Sequence, residues 1–208
     1  MYLSVYGETL TEKVIEKSRF LTYCSHVENE EEAKAFLQRV RALHPLATHV
    51  CYGYIADKVS NVQRFSDDGE PQGTAGMPIL NVIKNQKLFE TAVAVVRYFG
   101  GIKLGAGGLT RAYASSASEG LDASDKREYD ISITLSVLVD YPEVNALIRF
   151  LEREGTSYDK DFGEKAEFTV SVREGEYDGF CTRLNDCLNG KLKITQKGRN
   201  YFPFPRND

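Results

Sequence analysis

RYFGGIKLGAGGLTRAY, residues 97–113, joins an apolar run to a run of small residues through Gly100, Gly101, Gly105, Gly107 and Gly108. The residues leading into it, Thr91 to Tyr98, read as a buried strand, and those beyond, from about Gly108 to Leu121, as a helix of small residues. A strand that turns through glycines into a helix belongs to an α/β layer, with the helix packed back on the sheet. The glycines serve two ends. They allow positive backbone dihedrals and close approach, and they leave the first N–H groups of the helix open to an anion, where Arg97, Lys103 and Arg111 would add positive charge. The P-loop pattern G-x-x-x-x-G-K-[ST] is absent because Ile102 precedes Lys103, and the dinucleotide fingerprint is absent too. A tight turn that lets helix meet sheet is the plainer alternative.

Upstream, RFSDDGEPQGTAGMPIL, residues 64–80, falls in a segment from Asp57 to Met77 with many turn residues and little periodicity. Long irregular segments in compact domains are commonly functional or flexible loops. Asp67, Asp68 and Glu70 could hold a metal, supply acid–base chemistry, or pair with Arg64, Arg97 and Arg111 to brace the loop. Bracing is the favoured reading, because turn chemistry already accounts for Asp-Asp-Gly followed by Glu-Pro. His49 and Cys51 stand two apart on a strand read from Thr48 to Ala56, so they share a face and could form a reactive pair or two metal ligands. No third ligand follows at a diagnostic spacing, and a buried pair is expected. No catalytic residue, metal or cofactor is assigned.

The first half also carries a strand, Arg19 to Val27, then Asn29 and Glu32 as helix cap and capping partner. Ala33, Phe36, Leu37, Val40 and Leu43 recur at helical spacing, with Pro45 just beyond. Pro78 suits a first helical position ahead of Ile79, Val82 and Ile83. Past Ser124 the polar stretch Asp125 to Glu128 marks a joint, dividing the chain into domains 1–125 and 126–208. Tyr129 to Val139 alternate as a strand, and Pro142 opens a helix stopped near Gly155. Short strands at Ser157 to Phe162 and Phe168 to Arg173 precede a helix through Tyr177, Phe180, Leu184 and Leu188, punctuated by Gly190, and a last strand starts at Lys191. The order βαββαβ is ferredoxin-like. The predicted fold class is α+β.

Apolar residues make up 42% and charged residues 27% of the 208, as in ordinary folded proteins. A net charge of −4 excludes a surface that is basic everywhere, but residues 97–113 hold three basic side chains and no acidic one. A second basic run, KLKITQKGRNYFPFPR, combines Lys191, Lys193, Lys197 and Arg199 with Tyr201 and Phe202, residue types that neutralise phosphates and stack bases. Lysines on an exposed edge strand are the competing explanation. Cys24, Cys51, Cys181 and Cys187 form no C-x-x-C pair and read as free thiols. With no secretory pattern and no apolar run near the roughly 20 residues of a membrane span, a cytoplasmic protein without membrane partners is expected.

Both glycine-rich stretches resemble the signature of the YigZ/IMPACT family. The resemblance extends through Lys17-Ser18-Arg19-Phe20, Ala47-Thr48-His49 with Cys51 and Tyr52, residues 64–71, and residues 97–105 on to Arg111-Ala112-Tyr113. Thr110 departs from it, where related sequences often carry an aliphatic residue. The resemblance implies a ribosomal-protein-like α/β domain, shared with a domain of elongation factor G, followed by a ferredoxin-like domain. In eukaryotes the family regulates translation by competing for the activator of a starvation-responsive kinase. The implied function is a translation-associated binding or regulatory protein that contacts RNA, the ribosome or a translation-factor partner. Two alternatives stand beside it: an enzyme acting on a phosphorylated small molecule through the glycine turn, since small-molecule kinases share the N-terminal fold, and a protein-only interaction module. No oligomeric state follows.

Overall fold

The computed structural model describes residues 1–206, so the last two residues of the domain expected at 126–208 lie outside the described residues. The chain divides into two compact units, mainly Tyr2–Glu128 and Tyr129–Phe204. The first contains β1 (Tyr2–Val5), β2 (Glu8–Ile15), β3 (Ser18–His26), α1 (Glu30–Leu43), β4 (His49–Ile55), β5 (Gln63–Ser66), α2 (Gly76–Asn85), β6 (Thr91–Tyr98) and α3 (Gly105–Ala123). Its main sheet has the order β2-β3-β6-β4-β5, every neighbouring pair antiparallel.

The apolar run that marked β6 is the centre of this sheet, buried from Thr91 to Arg97. Its side chains alternate between two cores. Ala92, Ala94 and Val96 meet Ala33, Phe36 and Val40 of α1, while Val93 and Val95 pack with Ile79 and Ile83 of α2 and with Tyr113, Ala117 and Leu121 of α3. A sheet covered on both faces explains why β6 shows no polar alternation. The small residues of α3 let the helix lie close: a Cβ on Gly120 would fall 2.6 Å from Thr22 Cγ2. Asn29 caps α1 as expected, its side chain accepting from Glu32 N–H at 2.9 Å, while Glu32 Oε2 accepts from Glu28 N–H at 2.9 Å.

Three expectations need correction. The segment Asp57 to Met77 is not wholly irregular, because β5 pairs with β4 from Tyr52↔Ser66 to Ile55↔Gln63. It leaves Arg64 and Phe65 exposed at the sheet edge, so its backbone pairing carries no hydrophobic alternation. Helix α2 starts at Gly76, ahead of Pro78, since Asp67 Oδ1 takes the amides of Ala75 and Gly76 at 3.0 and 2.8 Å. Helix α3 begins at Gly105 rather than near Gly108.

The second unit contains most of β7 (Lys126–Val139), then α4 (Val144–Arg153), β8 (Tyr158–Phe162), β9 (Ala166–Arg173), α5 (Tyr177–Cys187) and β10 (Lys193–Pro205). Its strands lie in the order β10-β7-β9-β8, with β7–β9 and β9–β8 antiparallel. Leu135, Val137, Phe168 and Val170 from the sheet pack on Leu147 and Leu151 of α4 and on Phe180 and Leu184 of α5. This is the ferredoxin-like arrangement read from the element order. Gly155 and Gly190, at φ +65° and +74°, sit in the turns that follow α4 and α5.

Candidate anion-binding site

Arg97 sits one residue before the end of β6, where its backbone carbonyl accepts Thr48 N–H at 2.8 Å. Its side chain is only 5% exposed. Burying a guanidinium requires a counter-charge. Glu70 supplies it: Arg97 Nη1 donates to Glu70 Oε1 at 2.6 Å, and Tyr113 O–H donates to the same oxygen at 2.8 Å. Arg97 Nη2 reaches Ser18 Oγ at 3.3 Å, and the cation lies 5.5 and 5.4 Å from the ring centres of Phe20 and Phe99. Arg97 Nε is buried without an acceptor. Burial, then Cys51 and Glu70 nearby, push the Tyr113 phenol far up, so it stays a hydrogen-bond donor.

The loop after β5 is held by its own carboxylates. Asp67 accepts three backbone amides, Gly73 at 2.8 Å on Oδ2 and Ala75 and Gly76 on Oδ1. Burial opposes its charge, but the amides of Gly73, Gly76 and Ala75 outweigh that and hold it below the usual carboxylate range. Asp68 Oδ2 accepts Val50 N–H at 2.7 Å and its Oδ1 accepts Arg41 Nη2 at 3.0 Å. Oxygens engaged this way have little left for a metal, and among the described residues no group of three or more His, Cys, Asp and Glu could hold one.

His49 and Cys51, on one face of β4, both latch this loop. His49 Nδ1–H donates to the Asp68 carbonyl at 2.7 Å and Cys51 S–H to the Asp67 carbonyl at 3.0 Å. Burial pushes the Cys51 thiol up to about 12, which removes it as a nucleophile. The His49 ring has its other nitrogen, Nε2, 3.8 Å from Glu70 Oε2. Among the acidic residues, only Glu70 meets one of the arginines proposed to pair with it. Arg64 points instead to Glu30, 3.7 Å away.

The glycines of the turn divide by role. Gly100 passes so close to the β2–β3 hairpin that a Cβ would stand 2.0 Å from the Lys17 carbonyl oxygen. Gly101 and Gly105, at φ +88° and +68°, need glycine for their backbone, while a Cβ on Gly107 would meet only Arg111 Nη1, at 3.9 Å, and Gly108 lies near Leu104. Helix α3 has no side-chain cap and no acidic residue in its first turn. Its opening residues Gly105 and Ala106, with Thr48, His49, Arg97, Phe99 and Lys103, line a pocket of about 430 Å³ whose wall also includes Glu70, Pro71, Leu104 and Leu109. A neighbouring depression of about 490 Å³ shares Lys103 and Leu104 and adds Arg111, Ser115 and one carboxylate, Glu16.

Lys103 and Arg111 are exposed, and no hydrogen bond or ion pair engages either among the described residues. The C-terminal basic run is different. Lys191 pairs with Glu143 at 3.2 Å, Lys197 with Glu167 at 3.5 Å, and Arg199 with Glu174 at 2.6 Å. Phe202 packs edge-on to Phe204 at 5.0 Å. Thr48, Pro71 and Phe99 were not singled out as site residues. An aromatic directly before Gly100 is the trace Phe99 leaves in the sequence.

Residues 16–121 match the model of the Impact N-terminal domain, and residues 137–191 match that of a domain of unknown function, DUF1949. The chain is 41% identical to the IMPACT family member YvyE of Bacillus subtilis (strain 168), over 92% of this chain and 88% of that protein. It is 33% identical to the IMPACT family member YigZ of Escherichia coli (strain K12), over 86% of this chain and 90% of that one. A solved structure titled "Crystal structure of an hypothetical protein" shares 31% identity and a TM-score of 0.59, covering 95% of this chain and 97% of its own. No described helix is long and apolar enough to cross a membrane. With half of its length on one family's domain and near full-length relatives at these identities, the chain belongs to the IMPACT family.

Proposed function

We propose that this protein acts in translation by contacting RNA, alone or within the ribosome, through the face made by the glycine turn and the amino end of α3. The observation that carries this reading is the pair of unengaged exposed cations, Lys103 and Arg111, beside an uncapped helix amino end in a chain of net charge −4. The helix dipole and free amides favour negative charge at that end, and the two side chains extend it. The partnered Lys191, Lys197 and Arg199 support a smaller role for the C-terminal run.

The test is cosedimentation with ribosomes and binding to single-stranded RNA across a salt series, for the wild type, Lys103→Ala and Arg111→Ala. Each lost phosphate contact lowers the slope of log K against log salt by roughly 0.7 to 0.9. Binding that ignores salt and both substitutions sinks the RNA reading, and recovery of one protein partner after nuclease treatment replaces it with a translation-factor contact.

A further inference from the structure

We infer that the 430 Å³ pocket beside Phe99 takes one unpaired nucleoside phosphate unit, free or at a residue of an RNA strand. This deepens the RNA reading and rests on it for the strand case alone. The pocket is in the roughly 300–1,000 Å³ range of small-molecule sites and has their make-up, apolar walls with few polar groups. Phe99, Pro71, Leu104 and Leu109 supply the apolar part. Phe99 is 46% exposed although the Arg97 guanidinium lies 5.4 Å from its ring centre, so one ring serves a cation and still offers area to a flat ligand.

The charge in the pocket is arranged for an anion at one side only. Glu70 carries the negative charge there, and its Oε1 is taken by Arg97 and Tyr113. Lys103 is left positive next to the amides of Gly105 and Ala106. Arg97 is spent on Glu70, so its buried Nε, which lacks an acceptor, adds a hydrogen-bond donor to the same wall and no net charge. A phosphate at Lys103 and the α3 amides, with a base over Phe99, uses both halves; inorganic phosphate uses only the first. A duplex uses neither fully, because its bases are stacked on each other and do not present a face to a side chain. The depression that carries Arg111 continues from Lys103, which places a cation for the next phosphate of a strand.

The test is isothermal titration of the full chain with the four nucleoside 5′-monophosphates, inorganic phosphate, a 5′-phosphorylated single-stranded RNA and a duplex RNA, repeated for Phe99→Ala, Phe99→Leu, Lys103→Ala and Arg111→Ala. Expected is monophosphate binding well above that of inorganic phosphate, weakened about 5- to 150-fold in Phe99→Ala as loss of one base stack predicts. Phe99→Leu keeps an apolar cover on Arg97 and should lose the same binding at unchanged Tm. Arg111→Ala weakening the strand but not the mononucleotide identifies RNA as the source of the unit. Phosphate binding equal to the nucleotides, or indifference to both Phe99 variants, overturns the proposal. Salt-dependent RNA binding that needs Lys103 but ignores Phe99 overturns this pocket and leaves RNA contact standing. Nucleotide binding through Phe99 with no RNA binding does the reverse.

Discussion

Replacing Glu70 by alanine should be the most damaging single change near the site, and the structure sets its scale. The carboxylate is the counter-charge for Arg97 at 2.6 Å and the acceptor for Tyr113 at 2.8 Å, with both acid and base side chains about 5% exposed or less. Removing one partner of a buried pair strands the other charge, at a cost of about 3–5 kcal/mol. Arg97→Met alone strands the carboxylate and should cost a similar amount. The double variant Arg97→Met with Glu70→Ala removes both charges and leaves the Tyr113 hydroxyl without its acceptor, about 1–3 kcal/mol. The two single costs should therefore exceed the double by more than about 2 kcal/mol, at the upper end of measured couplings. Urea unfolding followed by circular dichroism reads all four proteins. Additive costs, within about 0.5 kcal/mol, or a Glu70→Ala penalty below about 1 kcal/mol, would show that the pair is not a buried, mutually dependent unit.

Two further predictions concern the loop and the turn. Asp67 is held below its ordinary range, so its stabilisation is fully present above the unfolded pKa near 4 and is lost as pH falls through the lower folded value. Asp67→Asn should cost about 1 kcal/mol at pH 7, and thermal melts should show the gap narrowing as pH falls below about 4; a gap independent of pH would refute the amide cage. Gly100→Ala must push a Cβ against the Lys17 carbonyl and should lower stability by about 2–3 kcal/mol, whereas Gly107→Ala, which meets nothing but Arg111 at 3.9 Å, should gain up to about 1 kcal/mol. Equal melting temperatures for the two would contradict the close approach of turn and hairpin.

The elements legible in the sequence are those whose signal is local. Asn29 and Glu32 announce α1 because a cap is a contact between neighbours, and β6 announces itself because it is buried on both faces. The order βαββαβ of the second unit follows from periods that each element carries alone. The edge strands β2 and β5 escaped because their exposed faces carry Leu10, Val14, Arg64 and Phe65 among polar residues, so neither periodicity nor burial marks them. Their pairing is a backbone matter, settled by what lies alongside.

The same division holds for the site. Residues 97–113 by themselves determined a strand, a glycine turn and a helix with positive charge and no acid between them. Which cations stay available was decided only in three dimensions. Arg97 is consumed by Glu70, 27 positions away, while Lys103 and Arg111 remain unengaged. Lys191, Lys197 and Arg199, as basic in the sequence as any, meet Glu143, Glu167 and Glu174 across the fold. Charge is a property of a residue, but free charge is a property of its neighbours, and those are assigned by the packing of distant segments.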